Sequence, residues 1–330
     1  MRRATITGTG MYAPDRVVPN SFFDDLYRRD ISTFLEGQRN IRERRWMAPE
    51  QTTSDLVVPA AQAAMAAAGV TIDDVDLIVV STDTPDFPSP STASVVAHKL
   101  GAHRAGTFDV NTACAGFVTA LDLAQKYIVA DENYKTILVV GAYSMSKHLN
   151  LDDYKIATLF ADGAAAAVVQ ATTSGRGFGP SYLWTEPLYH DHMGIYGGGA
   201  ARPFDQGVLD RKEHLLSFPK RIPPETNGIH WPRIARIVLE RAGRRPDEIK
   251  HWFLTQFNIV SIHETLDTFG VPRDRAHVIM DRYGYTGSAS IGMTVADAVR
   301  SGKVHDGDPC LFIGSGGGMS MAALYLEWGR

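Results

Sequence analysis

The chain has 330 residues, 44% of them hydrophobic and 21% charged, with a formal charge of −4. That length exceeds one average domain, so two domains or one duplicated domain is expected, and the charge gives no electrostatic case for nucleic acid or an anionic membrane as a partner. Two cysteines, Cys114 and Cys310, are too few for a secreted disulfide scaffold and stand in no CxxC or Cys/His metal pattern.

A first strand is expected over residues 3–9. The basic residues ahead of it are not followed by the apolar run of a secretory signal, and no stretch of ~18 apolar residues occurs, so no membrane span is expected. A reducing cytoplasm that keeps a thiol free fits this reading. A loop and short helix then lead to the charged run Arg42-Glu43-Arg44-Arg45. Residues 55–68 are Ala-rich with apolar side chains at helical spacing and predict a helix. The apolar run at 75–82 predicts a buried strand. Helix 91–100, strand 107–112, helix 114–130, strand 135–141 and strand 158–171 complete a first half, residues 1–172.

Residues 173–228 break the alternation and are rich in Gly, Pro, His and aromatic residues, as in Tyr189-His190-Asp191-His192-Met193-Gly194. An irregular insertion of that length is either a cover over a site or a surface connection. After it the alternation returns: helix 229–242, strand 250–256, helix 259–269, a short strand 276–280, helix 288–301, and strands 308–314 and 319–327. Helices alternating with apolar strands predict α/β layers, and two such halves, 1–172 and 173–330, suggest internal duplication.

Cys114 stands in Phe108-Asp109-Val110-Asn111-Thr112-Ala113-Cys114-Ala115-Gly116-Phe117, where a strand ends and a helix of small residues begins. The positive end of a helix dipole favours a thiolate, the reactive form. Cys114 is thus either a nucleophile or a small buried hydrophobe; Cys310, opening an apolar strand, reads as the latter.

The segment 107–117 resembles the nucleophile motif of ketoacyl-ACP synthase III in the thiolase superfamily. Four further pieces are similar to that family's motifs and stand in its order: Ile41-Arg42-Glu43-Arg44; Thr84-Pro85-Asp86-Phe87 with Pro90-Ser91-Thr92; Phe160-Ala161-Asp162-Gly163-Ala164-Ala165-Ala166; and Gly314-Ser315-Gly316-Gly317-Gly318. The resemblance implies a thiolase fold of duplicated αβαβα halves. It also implies an acyltransferase that loads an acyl group from acyl-CoA or acyl carrier protein onto Cys114 and condenses it with a malonyl thioester. The backbone N–H groups of Cys114 and Gly317 would then bind the oxyanion. Phe34, Arg42, Phe87, Asn258 and Ser315 would contact substrate, Phe87 by reaching a neighbour's acyl pocket in a homodimer. No cofactor or metal is implied.

Two positions depart from the family. Thr255, in Phe253-Leu254-Thr255-Gln256-Phe257-Asn258, stands where its catalytic histidine is expected. Tyr285, in Tyr283-Gly284-Tyr285-Thr286-Gly287-Ser288-Ala289-Ser290, replaces its asparagine. Threonine is a weak donor and no base near neutrality. Tyr285 is either a substitute hydrogen-bond donor or a packing aromatic. His190, His192, His230, His251 and His263 are weak candidate surrogates. The helix at 259–269 has no Lys or Arg, and Gln38 replaces an arginine used to hold CoA, with Arg39 and Arg42 nearby. Lys220-Arg221 and Arg244-Arg245 are further basic spots. Non-condensing acyl transfer, thioester hydrolysis and a low-activity partner subunit are the alternatives to condensation.

Overall fold

The computed structural model describes residues 2–329. In chain order the strands are β1 (Arg3–Tyr12), β2 (Arg16–Pro19), β3 (Glu43–Trp46), β4 (Leu77–Ser81), β5 (Gly106–Val110), β6 (Thr136–Ser144), β7 (Asp162–Thr172), β8 (Gly177–Thr185), β9 (His251–Leu254), β10 (Pro309–Gly316) and β11 (Ser320–Glu327). One sheet has the order β1-β7-β6-β4-β5 and another β8-β11-β10-β9, with β2 and β3 as a separate ribbon. In the first sheet β4 runs parallel to β5 and β6, and β7 is antiparallel to β6 and β1. The second repeats the scheme: β9 is parallel to β10, and β11 is antiparallel to β10 and β8. Four strands of the first sheet therefore have counterparts of the same order and direction in the second, and β5 has none.

Every residue of β4 and β6 is buried, as required of strands covered on both faces. The Thr53–Ala68 and Thr92–Leu100 helices cover the outer face of the first sheet, where Leu56, Ala60 and Val96 join Ile78, Val80 and Val140. The Gly116–Ala130 and Ser290–Arg300 helices form the layer between the sheets. There Val118, Leu121 and Ile291 pack with Val79 and Val139 of one sheet and Phe312 and Leu324 of the other. Trp231, Ile234, Ile262 and Leu266, from the Thr226–Ala242 and Ile259–Phe269 helices, cover the far face with Leu254, Leu311 and Ala323. The result is helix, sheet, helix, sheet, helix: the layered thiolase architecture expected.

Two expectations need correction. Residues 177–185, expected within an irregular insertion, form β8, pairing with β11 from Ser320↔Thr185 to Glu327↔Gly177. The strand expected at 276–280 is reduced to one bridge, Trp252↔Ala276. There the Gln256 side chain takes over the pairing: it accepts from the Ile279 N–H at 3.1 Å and donates to the His277 carbonyl at 3.3 Å. A buried side chain thus satisfies backbone groups that a ladder would otherwise occupy.

Candidate active site

The sulfur-bearing turn is built by close backbone approaches. β5 ends at Val110, and Ala113 adopts φ +46°, a left-handed conformation that costs a residue with a Cβ about 1–2 kcal/mol. A single 3-10 turn, Ala113–Ala115, then carries Cys114 into the helix that starts at Gly116. A Cβ at Gly116 would lie 1.7 Å from Ser81 Oγ, and one at Gly316 would lie 2.4 Å from the Cys114 nitrogen. Glycine at both positions lets the end of β4 and the turn after β10 close on the cysteine.

Cys114 is 1% exposed, yet it forms part of the wall of a cavity of about 680 Å³. Thr255, Asn258, Tyr285, Ser315, Gly316 and Gly317 stand on the same wall. Six of the nine residues expected to act on substrate are therefore brought together. Phe34, Arg42 and Phe87 are not on that wall. Phe34 and Phe87 are both 51% exposed. Arg42 is held by its backbone, donating to the Asp281 carbonyl and accepting from Asn20 N–H. Arg39 lines the cavity instead, its guanidinium 5.7 Å from the Phe34 ring centre and 5.4 Å from that of Phe257. Lys155, Lys220 and Arg221 add positive charge to the same wall.

The expectation of a favoured thiolate is not met at rest. Burial pushes the Cys114 thiol well up, and the neighbouring Asp83 carboxylate pushes the same way; a hydrogen bond with Tyr285 only partly opposes them. The helix dipole is outweighed because burial and a like charge both disfavour the thiolate. The Tyr285 hydroxyl is itself driven far up, chiefly by burial and then by Cys114. It therefore stays protonated, as a donor to the sulfur.

Tyr285 is fixed by its backbone. Its N–H donates to the Leu159 carbonyl at 3.0 Å, and its carbonyl accepts from Ala161 N–H at 2.9 Å. Its ring packs against Phe257, Phe160 and Tyr143, with centres 5.1, 5.5 and 6.5 Å away. Thr255 is likewise buried and anchored, donating through N–H to the Ile313 carbonyl at 3.1 Å, while its Oγ1 accepts from Ser315 N–H at 2.9 Å.

No histidine lines this cavity among the described residues. His251 pairs with Asp308 at 3.1 Å, His192 with Asp191 at 3.0 Å, and His230 stacks on Trp184 at 4.6 Å between centres. His190 faces the Pro187 carbonyl, and His263, on the Ile259–Phe269 helix, lies off the wall. Among the described residues no cluster of three or more His, Cys, Asp or Glu could hold a metal ion, and no helix is long and apolar enough to cross a membrane.

Several residues of the recognised motifs turn out to be structural. Arg44 is buried, donating to the Val18 and Thr158 carbonyls and to Asn20 Oδ1. Asp86 accepts from Ser54 N–H and Asp109 from Thr92 and Ala93 N–H, each capping a helix. Asp162 ties Met47 N–H to Ser146 N–H, both at 2.8 Å. Asp83, Tyr143, Lys155, Met193 and Phe218 are not singled out by the sequence alone. Nothing in the sequence separates Asp83 from Asp86, and Lys155, Met193 and Phe218 carry no signal because only the folded chain brings them to the cavity.

Comparison with known proteins bears on this geometry. Residues 108–187 match the family described as 3-oxoacyl-[acyl-carrier-protein (ACP)] synthase III, and residues 239–328 its C-terminal part. A beta-ketoacyl-[acyl-carrier-protein] synthase III of Symbiobacterium thermophilum is 37% identical, over 100% of this chain and 99% of its own length. An acetoacetyl CoA synthase of Streptomyces sp. is 36% identical over 99% of both chains. The crystal structure of the 3-oxoacyl-[acyl-carrier-protein] synthase III of Aquifex aeolicus superposes with a TM-score of 0.88 at 28% identity, covering 98% of this chain and 100% of the other.

Proposed function

Because the chain belongs to the 3-oxoacyl-[acyl-carrier-protein] synthase III family, we propose that Cys114 attacks an acyl thioester, carries the acyl group as a new thioester and passes it to a malonyl thioester by condensation. One observation carries this reading. Cys114, Tyr285, Thr255 and the Gly316-Gly317 turn share one cavity wall, with the Tyr285 hydroxyl bonded to the sulfur.

Each residue then has a role. In loading, the sulfur adds to the carbonyl carbon, and backbone N–H groups of Cys114 and Gly317 stabilise the oxyanion. In the second step, carbon dioxide leaves the malonyl unit and the resulting carbanion attacks the acyl carbonyl. Thr255 and Tyr285 hold the places of the family's histidine and asparagine, and the Tyr285 O–H supplies the donor toward the forming enolate. Asn258 and Ser315, on the same wall, contact the incoming thioester. Phe87, half exposed, suits a homodimer in which it reaches the partner's acyl pocket; sedimentation velocity checks the dimer.

A second reading is favoured by the changed pair. Thr255 Oγ1 already accepts from Ser315 N–H, and no imidazole is on the wall. Transfer to water or another nucleophile needs no enolate. Intact-protein mass spectrometry with acetyl-, isobutyryl- and octanoyl-CoA tests the loading step. Product analysis with and without malonyl-CoA separates condensation, which requires it, from hydrolysis, which releases free acid regardless. No Cys114 adduct with any acyl-CoA, while a control synthase loads, would count against both.

A further inference from the structure

An acyl group held on Cys114 is exposed to a competing reaction with water. Water adds to the carbonyl carbon, the carbon–sulfur bond breaks, one proton of the water passes to Sγ, and free acid leaves. The cavity beside Cys114 has a volume of about 680 Å³, room for many waters, yet Cys114 itself is 1% exposed. The insertion that follows β8 supplies part of the cover.

Met193 closes on the turn after β10. A Cβ at Gly317 would lie 3.4 Å from Met193 Cε and 3.4 Å from the Met193 carbonyl oxygen. Gly317 is one of the two residues whose N–H groups are assigned to the oxyanion, so the Met193 thioether borders the place of the reacting carbonyl. Phe218 stands opposite Met193. Gly194 N–H donates to the Ser217 carbonyl at 3.1 Å, and Ser217 N–H donates back at 3.0 Å, an antiparallel bridge that sets 193 across from 218. The Phe218 ring lies 6.5 Å between centres from Phe160, which packs on Tyr285 at 5.5 Å. Met193 and Phe218 are both half-buried and both face the cavity that Cys114 lines.

The cover is tied to the site by main-chain bonds. Glu186 and Met319 exchange two, at 3.0 and 3.2 Å, and Met319 ends the short turn that begins at Gly317. Leu216 N–H donates to the His148 carbonyl at 2.7 Å. Backbone anchors at both ends of the segment thus hold the two side chains in place. Neither side chain has a strong hydrogen-bonding atom with which to hold a water: one is a thioether, the other a phenyl ring. An unbranched thioether also fills an irregular gap over a turn better than a branched side chain does.

We propose that Met193, backed by Phe218, keeps water from the acyl-Cys114 thioester and so reserves the acyl group for the second substrate, an assignment that rests on the acyl-transfer reading above. Excluding water in this way decides which nucleophile ends the reaction, without taking part in either bond change.

The test follows the lifetime of the acyl-enzyme. Wild type, Met193→Ala, Met193→Leu and Phe218→Ala are loaded from acetyl-, isobutyryl- or octanoyl-CoA, whichever loads the wild type fastest. Excess acyl-CoA is then removed. Decay of the Cys114 adduct without any malonyl thioester is read by intact-protein mass spectrometry near neutral pH. Met193→Ala leaves a gap that joins the open cavity, and its adduct should decay to free acid about 10-fold faster or more than that of the wild type. Phe218→Ala should hasten decay by about 3-fold, because it removes the backing and not the cover. Met193→Leu restores apolar bulk and should decay within about 2-fold of wild type. A thermal melt of each variant separates shielding from folding, because a merely structural Met193 would lower the melting temperature and leave the decay of the remaining adduct unchanged. Equal decay in Met193→Ala and wild type, or decay in Met193→Leu as fast as in Met193→Ala, overturns the assignment. If Met193→Ala does not fold, Met193→Gln takes its place: its polar end should admit water and hasten decay, and decay at the wild-type rate overturns the assignment. A wild type that forms no adduct removes the acyl-transfer reading itself, and this one with it.

Discussion

Two parts of the cavity wall are held in different ways. Around Cys114, residue types are fixed by contact: Gly316 and Gly116 leave no room for a Cβ, and Ala113 takes a left-handed turn. Farther along the same wall, Thr255 and Tyr285 are anchored through their main chains to Ile313, Leu159 and Ala161, with Thr255 Oγ1 also accepting from Ser315 N–H. A backbone anchor constrains where a side chain starts, not what it is. The first part therefore admits few substitutions, whereas the second can exchange its chemistry and keep its shape. On the proposed roles, this predicts that loading machinery is brittle and second-step machinery adjustable.

The contrast is broken most severely on the cysteine side. Cys114→Ala removes the bond-forming atom, and acyl turnover should fall by a factor on the order of 10⁶, the scale of losing a nucleophile. Mass spectrometry should find no adduct on that variant. Gly316→Ala should come next. Its methyl would sit 2.4 Å from the Cys114 nitrogen, and both atoms belong to backbone-tight turns. We expect about 1–3 kcal/mol of lost stability and roughly 100-fold slower loading, read from a thermal melt and single-turnover kinetics. Loading at the wild-type rate would show that the turn yields and that the cysteine side is not brittle.

The same contrast explains what could be read from the sequence. Glycine and small-residue motifs are legible because sterics leave few alternatives; Ala115-Gly116 marks the turn at the cysteine, and Gly314–Gly318 is carried by the resemblance to the family's glycine-rich turn. The helix at 259–269 was legible from its period and agrees to the residue. β8 was not, because Gly177 to Thr185 is an edge strand, partly exposed, and lacks an apolar run. The short strand at 276–280 misled in the other direction: Ala276, Ile279 and Met280 are buried, but Gln256 supplies the pairing. Arg39 was one basic residue in a charged run; only the fold sets it between Phe34 and Phe257. Asp83 could not be distinguished from Asp86, which caps a helix, since burial and pairing are tertiary properties.

Tyr285→Phe sharpens the contrast from the adjustable side. The ring keeps its packing against Phe160 and Phe257, and only the hydroxyl is lost. Two effects follow with defined signs. Without its donor the Cys114 thiol rises further, so alkylation at fixed pH should slow several-fold. Condensation should slow by roughly 10- to 100-fold while loading changes much less, because the phenol is assigned to the second step. Equal losses in both steps would place the hydroxyl in loading alone.

The smallest expected effect lies at Arg39, which lines the same cavity. Arg39 is packed between two aromatic rings, with a buried Nε that has no hydrogen-bond partner. Burial holds its pKa below the usual arginine value. A cation placed this way gains from a phosphate, because an anion offsets the desolvation that the rings impose. Arg39→Ala should raise KM for an acyl-CoA about 3- to 10-fold with kcat nearly unchanged, the signature of lost uniform binding. An acyl-pantetheine thioester, which lacks the nucleotide phosphates, supplies the control. If Arg39 contacts those phosphates, KM for this shorter substrate should hardly move. A rise of the same size for both would mean that the guanidinium only props Phe34 against Phe257 and makes no contact with the nucleotide phosphates.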